Sequence, residues 1–381
     1  MPTVCASSCS QLPDAAGAST DAVTQALQRI APHAPSVGLL FVSPEHDLVE
    51  VVKAAKQLAP SARFIASHTG GGLEGAALHR KAVVCLLISS DRARFEVRAA
   101  GVEPATPTLA AQSLCAGFKD AYTASSQRGL PYSTTALWLQ PGSLGEQVLK
   151  ELRVHTRPFQ QVVGGVASDQ GVFRSPRVMV DGEAGPTAGA ALHIFDSVNW
   201  GVGVEHGLTR VGNARVVTKA SGTRLTQLDG APAKDAWAQT DPGFLLKHPL
   251  GVLLFDQVTH VRAPFAVSKA GDVRLVGSLA EGAVVSVLEG DVENVVAAAG
   301  RAAREARANL KGAEAAAVLV FDCFCRDILL GDAFPRAIDA IREVFPTEPL
   351  AGLVTFGEIA RFGGRLDGWH NATVVVAAIP R

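Results

Sequence analysis

The chain has 381 residues, of which 48% are hydrophobic and 19% charged. That is enough apolar material for a large core and excludes an intrinsically disordered chain. Lys+Arg number 35 and Asp+Glu 36, and aromatics are 6%, so the chain lacks both the field that gathers a polyanion and a surface for stacking bases, and no nucleic-acid partner is expected.

The length suits two domains. No apolar run is long and charge-free enough for a transmembrane helix, so no membrane insertion is expected. The start, Met1-Pro2-Thr3-Val4-Cys5-Ala6, has no basic stretch leading into an apolar one, as a secretory leader would. The cysteines stand as Cys5/Cys9, Cys85, Cys115 and Cys323/Cys325. They are too sparse for a disulfide scaffold and lack zinc-finger spacing, so reduced thiols and a cytoplasmic location are expected.

Along the chain one order of elements recurs. A helix over Asp21–Ile30, with Val23, Ala26, Leu27 and Ile30 on one face, is capped by Ser19 or Thr20. An apolar strand, Val37–Val42, follows. A second helix begins near Asp47 with Leu48, Val51, Val52 and Ala55 inward. Strands at Arg63–Ser67 and Ala82–Ser89 flank the turn Gly70-Gly71-Gly72.

The same order returns as a helix over about Leu109–Tyr122, a strand at Thr135–Leu139 ended by Pro141-Gly142, and a helix with Leu144, Val148 and Leu152 inward. Strands at Gln161–Ala167 and Ala188–Phe195 complete it. It returns again as a helix over Val292–Leu310, a strand at Ala317–Phe321, and a helix bearing Phe334, Ile338, Ile341 and Phe345. Strands at Ala351–Phe356 and Thr373–Ala378 follow.

Between the second and third copies, residues 197–289 read as β-rich, with a hairpin at Ser221-Gly222. The expected fold is therefore α/β. Layered mixed sheets are flanked by helices and built from three helix–strand–helix–strand–strand repeats, with a β-rich insertion before the third. The expected domains are 1–196, holding the first two repeats, and 197–381, holding the β-rich segment and the third repeat at 290–381.

Residues with chemistry gather just past the strands of the third copy: Cys323 and Arg326, then Gly357 and Glu358, then His370 and Asn371. Ligand groups converge at such positions because strand interiors are filled by packing. Arg326 and Glu358 read either as a structural ion pair or as the two ends of a site for an amino acid, with a guanidinium fork for a carboxylate and a carboxylate for an ammonium group.

This constellation resembles the FIST family of intracellular signal-transduction sensors. The matching residues are Cys323 and Arg326, Gly357-Glu358-Ile359, and His370-Asn371-Ala372-Thr373, supported by Trp200, Val217–Ala220, Leu228–Ala233 and His248-Pro249-Leu250-Gly251-Val252. The resemblance is specific from about Trp200 onward and weaker before it. Two positions depart from it. Ala66-Ser67-His68-Thr69-Gly70-Gly71-Gly72 stands where the family has a Cys-Thr-Thr-like run, and Arg336 stands where an acidic residue is common.

The resemblance implies a sensor of a small ligand, an amino acid or related metabolite. In one branch it implies haem and nitric oxide sensing, with output to a partner such as a histidine kinase. For haem the candidate axial ligands are His68 and His206, with His248 and His370 behind them. Two other classes stay open. One is a hydrolase or transferase with Cys323 as nucleophile, His370 as base and Glu358 as orienter. The other is a non-catalytic interaction scaffold.

Overall fold

The computed structural model describes residues 2–101, 106–142, 144–157, 160–172, 176–363 and 366–381. The Leu144 side chain lies outside the described residues.

The chain is α/β, and the described residues form four sheets with helices packed outside them. In the first sheet, strands Val37–Val42 and Arg63–His68 run parallel, joined by helix Leu48–Leu58. Strand Val83–Ser89 returns antiparallel beside Val37–Val42, and Val4–Ser10 lies on its far side. The second sheet has the same order and directions in Arg94–Ala100, Gly189–Asp196, Tyr132–Leu139 and Gln161–Val166. The third has them in Gly201–Glu205, Val374–Pro380, Ala315–Cys323 and Leu350–Thr355.

Each nucleus thus begins with a strand that the sequence pattern did not suggest. Gly201–Glu205 belongs to the third sheet, although it falls within the segment expected to be the insertion.

The sheets also exchange short strands in a ring. The hairpin Gly72–Glu74 and Ala77–His79, from the first sheet's chain, extends the third sheet beside Leu350–Thr355. Strand Val178–Val180 extends the first sheet beside Arg63–His68. Strands Glu358–Arg361 and Gly368–His370 extend the second sheet beside Gln161–Val166.

Strand alternation explains why central strands such as Val37–Val42 are apolar and buried on both faces. Val37, Leu39, Phe41, Trp138, Leu192, Leu319, Phe321 and Val375 point into one core shared by the first three sheets. Their neighbours Leu40 and Val42, Leu137 and Leu139, and Val318 and Val320 point outward to three helix-covered cores. Each fully buried Leu, Val or Phe contributes about 1.5–3 kcal/mol.

Two helices differ from expectation. The first begins at Ala15, with Asp14 as its cap accepting from Gly17 N–H. Ser19 is inside it and donates to the Val51 carbonyl, joining two helices. The helix expected over Leu109–Tyr122 is two, Pro107–Leu114 and Phe118–Ser126, broken at Gly117 with φ 72°.

Residues 209–289 form the fourth sheet, with its own core of Val217, Leu225, Leu228, Trp237, Leu245 and Val285. The expected hairpin pairs Ser221 with Arg224. The sheet sits beside the ends of the parallel strands of the second and third sheets.

Candidate ligand cavity

A cavity of about 330 Å³ opens where the parallel strands of the second and third sheets end. Pro141 and Val166 come from the ends of the second sheet's strands. Cys323 and Phe356 come from the ends of the third's. Phe324 and Cys325 start the helix after Ala315–Cys323. Leu246, Phe265, Leu275 and Val276 of the insertion cover the cavity, and Trp369, on the exchanged strand, completes its wall. Position at the carboxyl ends of parallel strands is where open α/β sheets hold ligands. Among the described residues the wall is hydrophobic and carries no ionisable group other than the two thiols.

Cys323 is therefore a lining residue. Its burial holds the thiol well above the ordinary value, reinforced by Cys325 beside it. That is the opposite of what a nucleophilic thiolate requires.

Trp369 packs closely. An added Cβ at Gly145, in helix Leu144–His155, would stand 2.2 Å from its ring, and one at Gly357 would stand 2.8 Å from it. Gly357 is thus a packing requirement for the wall, and its carbonyl accepts from Val166 N–H at 2.9 Å.

The other expected site residues lie behind this wall. Alternation along Glu358–Arg361 and Gly368–His370 sends Ile359 and Trp369 toward the helices of the second sheet. Glu358 and His370, a registered pair, face the other way and are fully buried. Glu358 bonds to the Thr355 hydroxyl at 2.7 Å, and its other oxygen accepts from the Thr373 hydroxyl at 2.9 Å and amide at 3.2 Å. Burial and the neighbouring Cys323 push its carboxyl well above the usual range.

His370 stacks on His260, with ring centroids 5.2 Å apart. Burial and the surrounding His260, Arg262 and His206 hold it well below the ordinary value, so the ring is neutral. Asn371 accepts from Ala263 N–H at 3.2 Å and holds the insertion against this strand pair.

Arg326 pairs with Asp322, not with Glu358. Its Nε donates to Asp322 at 2.6 Å and an Nη to the Val295 carbonyl at 3.2 Å, with the side chain fully buried. The expected ion pair across two strand ends is thus replaced by one within a single strand–helix junction.

His68 and His206 stand apart from the cavity. His68 Nδ1 accepts from Arg177 N–H and Nε2 donates to the His46 carbonyl, each at 3.1 Å. Both nitrogens are engaged in the protein. Its pKa is lowered, chiefly by burial. His206 Nδ1 accepts from Leu208 N–H at 2.9 Å. His248 stacks on Phe244 and bonds to its carbonyl.

The cavity residues missed from sequence were the apolar ones: Phe265, Phe324, Phe356 and Trp369. Their signal was position, since Phe324, Phe356 and Trp369 adjoin the polar residues that drew attention.

Among the described residues no cluster of three or more His, Cys, Asp or Glu has metal-binding geometry, and no helix is long and apolar enough to cross a membrane. The profile of the FIST N domain matches residues 18–231 and that of the FIST C domain residues 228–361. No curated protein matches the sequence. Among solved structures, a chorismatase crystal structure aligns over 100% of this chain and 99% of its own, at 11% identity and a TM-score of 0.40. That likeness carries no functional argument.

Proposed function

The chain belongs to the FIST family, and on that premise we propose that it is a cytoplasmic sensor that binds a small ligand in the cavity between the second and third sheets and relays occupancy to a signalling partner. FIST domains are associated with sensory signal transduction and small-ligand binding.

The observation that carries this reading is the cavity's composition from separate parts. Cys323 and Phe356 belong to the third sheet, Pro141 and Val166 to the second, and Phe265, Leu246 and Val276 to the insertion. A ligand that touches all three favours one placement of the insertion over others. That differential affinity is what a sensor needs. A histidine kinase is the kind of partner the family resemblance suggests. Six unpaired cysteines fit a reducing compartment. The common strand order supports reading the three sheets as internal repeats, for which superposition of their four-strand nuclei is the test.

The rival readings have less support. A Cys323 nucleophile would need its thiol pKa lowered, whereas burial raises it. Haem on His68 would break a hydrogen bond at whichever nitrogen met the iron.

The test is a thermal-shift screen of small metabolites on wild type and on Val276→Trp, which fills the cavity mouth. A ligand at about 100 times its Kd adds roughly 2.7 kcal/mol and a shift of a few degrees. The shift should vanish in the variant. Shifts retained there would place the ligand elsewhere.

A further inference from the structure

The chemistry of the wall narrows the ligand. Four of the thirteen lining residues, Phe265, Phe324, Phe356 and Trp369, are aromatic, in a chain where aromatics make up 6%. Among the described residues the wall offers no carboxylate, guanidinium, ammonium or imidazole. Other clefts of the molecule do carry charges: Glu45, Lys81 and Asp169 line one, and Glu293, Arg304 and Arg336 another. An ion moved from water into the apolar cavity would lose hydration with no counter-charge to replace it. A zwitterion would suffer this twice.

Phe324 and Phe356 form a T-shaped pair, with centroids 5.5 Å apart and planes at 82°. Such a pair turns a ring face and a ring edge in different directions, and a further ring can add to either. Phe265, from the insertion, is 40% exposed, a large apolar side chain at the mouth that a bound ring would cover. Cys323 and Cys325 add small, polarizable, uncharged surface. Trp369 is 5% exposed and its indole N–H is itself buried, so what the residue offers the cavity is ring surface.

We infer that the ligand of this cavity is a neutral, flat aromatic molecule of small fused-ring size. This rests on the cavity being the sensory site, and it replaces the amino acid suggested by Arg326 and Glu358. Both of those side chains are fully buried and engaged elsewhere.

Three probes of one shape separate the possibilities in calorimetric titrations: coumarin, its saturated analogue octahydrocoumarin, and the charged coumarin-3-carboxylate. The proteins are wild type, Phe356→Leu, Trp369→Phe and Val276→Trp, each checked for wild-type circular dichroism. Coumarin should bind wild type at least 10-fold more tightly than either analogue. Phe356→Leu should weaken it roughly 2–12-fold through the lost ring contact. Trp369→Phe should weaken it by a similar factor through the reduced ring surface. Val276→Trp should abolish it.

If octahydrocoumarin or the carboxylate binds as well as coumarin, and Val276→Trp blocks it, the aromatic class is wrong and the cavity stands. Coumarin failing to bind wild type also overturns the class. If a probe binds and Val276→Trp leaves it unchanged, the cavity itself is not the site, and both readings fall.

Discussion

Arg262 of the insertion donates to Glu146 of helix Leu144–His155 at 3.1 Å, and the same guanidinium donates to the Trp369 carbonyl at 2.8 Å and to the Ser278 carbonyl at 2.9 Å. Glu146 in turn accepts from the Ser278 amide and hydroxyl. One ion pair therefore ties the insertion, the second sheet's helix and the strand bearing the cavity's Trp369. Arg262 thereby joins the insertion directly to the cavity wall.

Glu146→Gln should leave the Arg262 guanidinium, 6% exposed, without its counter-charge. Breaking a buried pair costs about 3–5 kcal/mol, and the partial exposure of Glu146 places this case near about 3 kcal/mol. Burial raises the Glu146 pKa, but Arg262 and the Ser278 bonds outweigh it and the net direction is down. A depressed carboxyl contributes stability that is present above its unfolded pKa of about 4.3 and lost as pH falls through the folded value. Thermal melts from pH 7 down to pH 3 should show wild type converging on the variant. A constant gap across that range would count against the pair.

Arg326→Ala should lower folding stability by roughly 3–5 kcal/mol, because it strands Asp322 in the interior. Burial pushes the Asp322 carboxyl up, and Arg326 only partly offsets that. Replacing both residues with apolar side chains of similar volume should be much milder. Urea unfolding of the single and double variants measures the difference. Calorimetry on the folded single variant should show ligand affinity within 2-fold of wild type, roughly the scatter expected where no contact is lost. A large affinity loss with intact folding would return Arg326 to the ligand.

His68→Ala should leave any hemin titration unchanged in amplitude and Soret position. The ring's Nδ1 and Nε2 already serve the Arg177 amide and the His46 carbonyl. Their loss should instead cost stability, about 1 kcal/mol per hydrogen bond. A Soret band that disappears in the variant would make His68 an axial ligand after all.

Much of this architecture was legible because parallel strands such as Val37–Val42 and Leu350–Thr355 are largely apolar runs beside amphipathic helices. The first strand of each nucleus was not. Val4–Ser10 carries three serines, Arg94–Ala100 alternates with charge, and Gly201–Glu205 has two glycines among five residues. The exchanged strands are only a few residues long, and their partners lie in other sheets. No local pattern records such pairing.

In the site, the sequence marked the strand ends but not the faces. Trp369 and His370 are adjacent, yet alternation puts the first in the cavity wall and the second in the interior behind it. A period of two makes such an assignment reverse with a one-residue slip. The attraction between Arg326 and Glu358 was plausible from charge alone. It yielded to Asp322, one turn before Arg326 and within reach of its guanidinium.

Glu358→Gln should stabilise the protein at neutral and higher pH. The Thr355 hydroxyl has one proton but lies within hydrogen-bonding distance of two oxygens, Glu358 Oε1 at 2.7 Å and the Asp322 carbonyl at 3.3 Å. If Glu358 is protonated, its O–H donates to Thr355, and Thr355 donates onward to Asp322, so every group is satisfied. The other oxygen then accepts from Thr373. A glutamine reproduces this chain, with its amide donating to Thr355 and its carbonyl accepting from Thr373. The folded carboxyl pKa is raised, first by burial and then by Cys323. Its contribution is therefore fully present below the unfolded pKa of about 4.3 and is lost as pH rises through the folded value, because only the unfolded chain ionises freely. The variant removes that loss. Chemical denaturation of both proteins from pH 4 to pH 9 should give similar stabilities at the acid end and a widening advantage for Glu358→Gln as pH rises. A variant less stable than wild type at pH 8 would mean that Glu358 is ionised in the folded protein, with a cation or polar partner close enough to hold its charge.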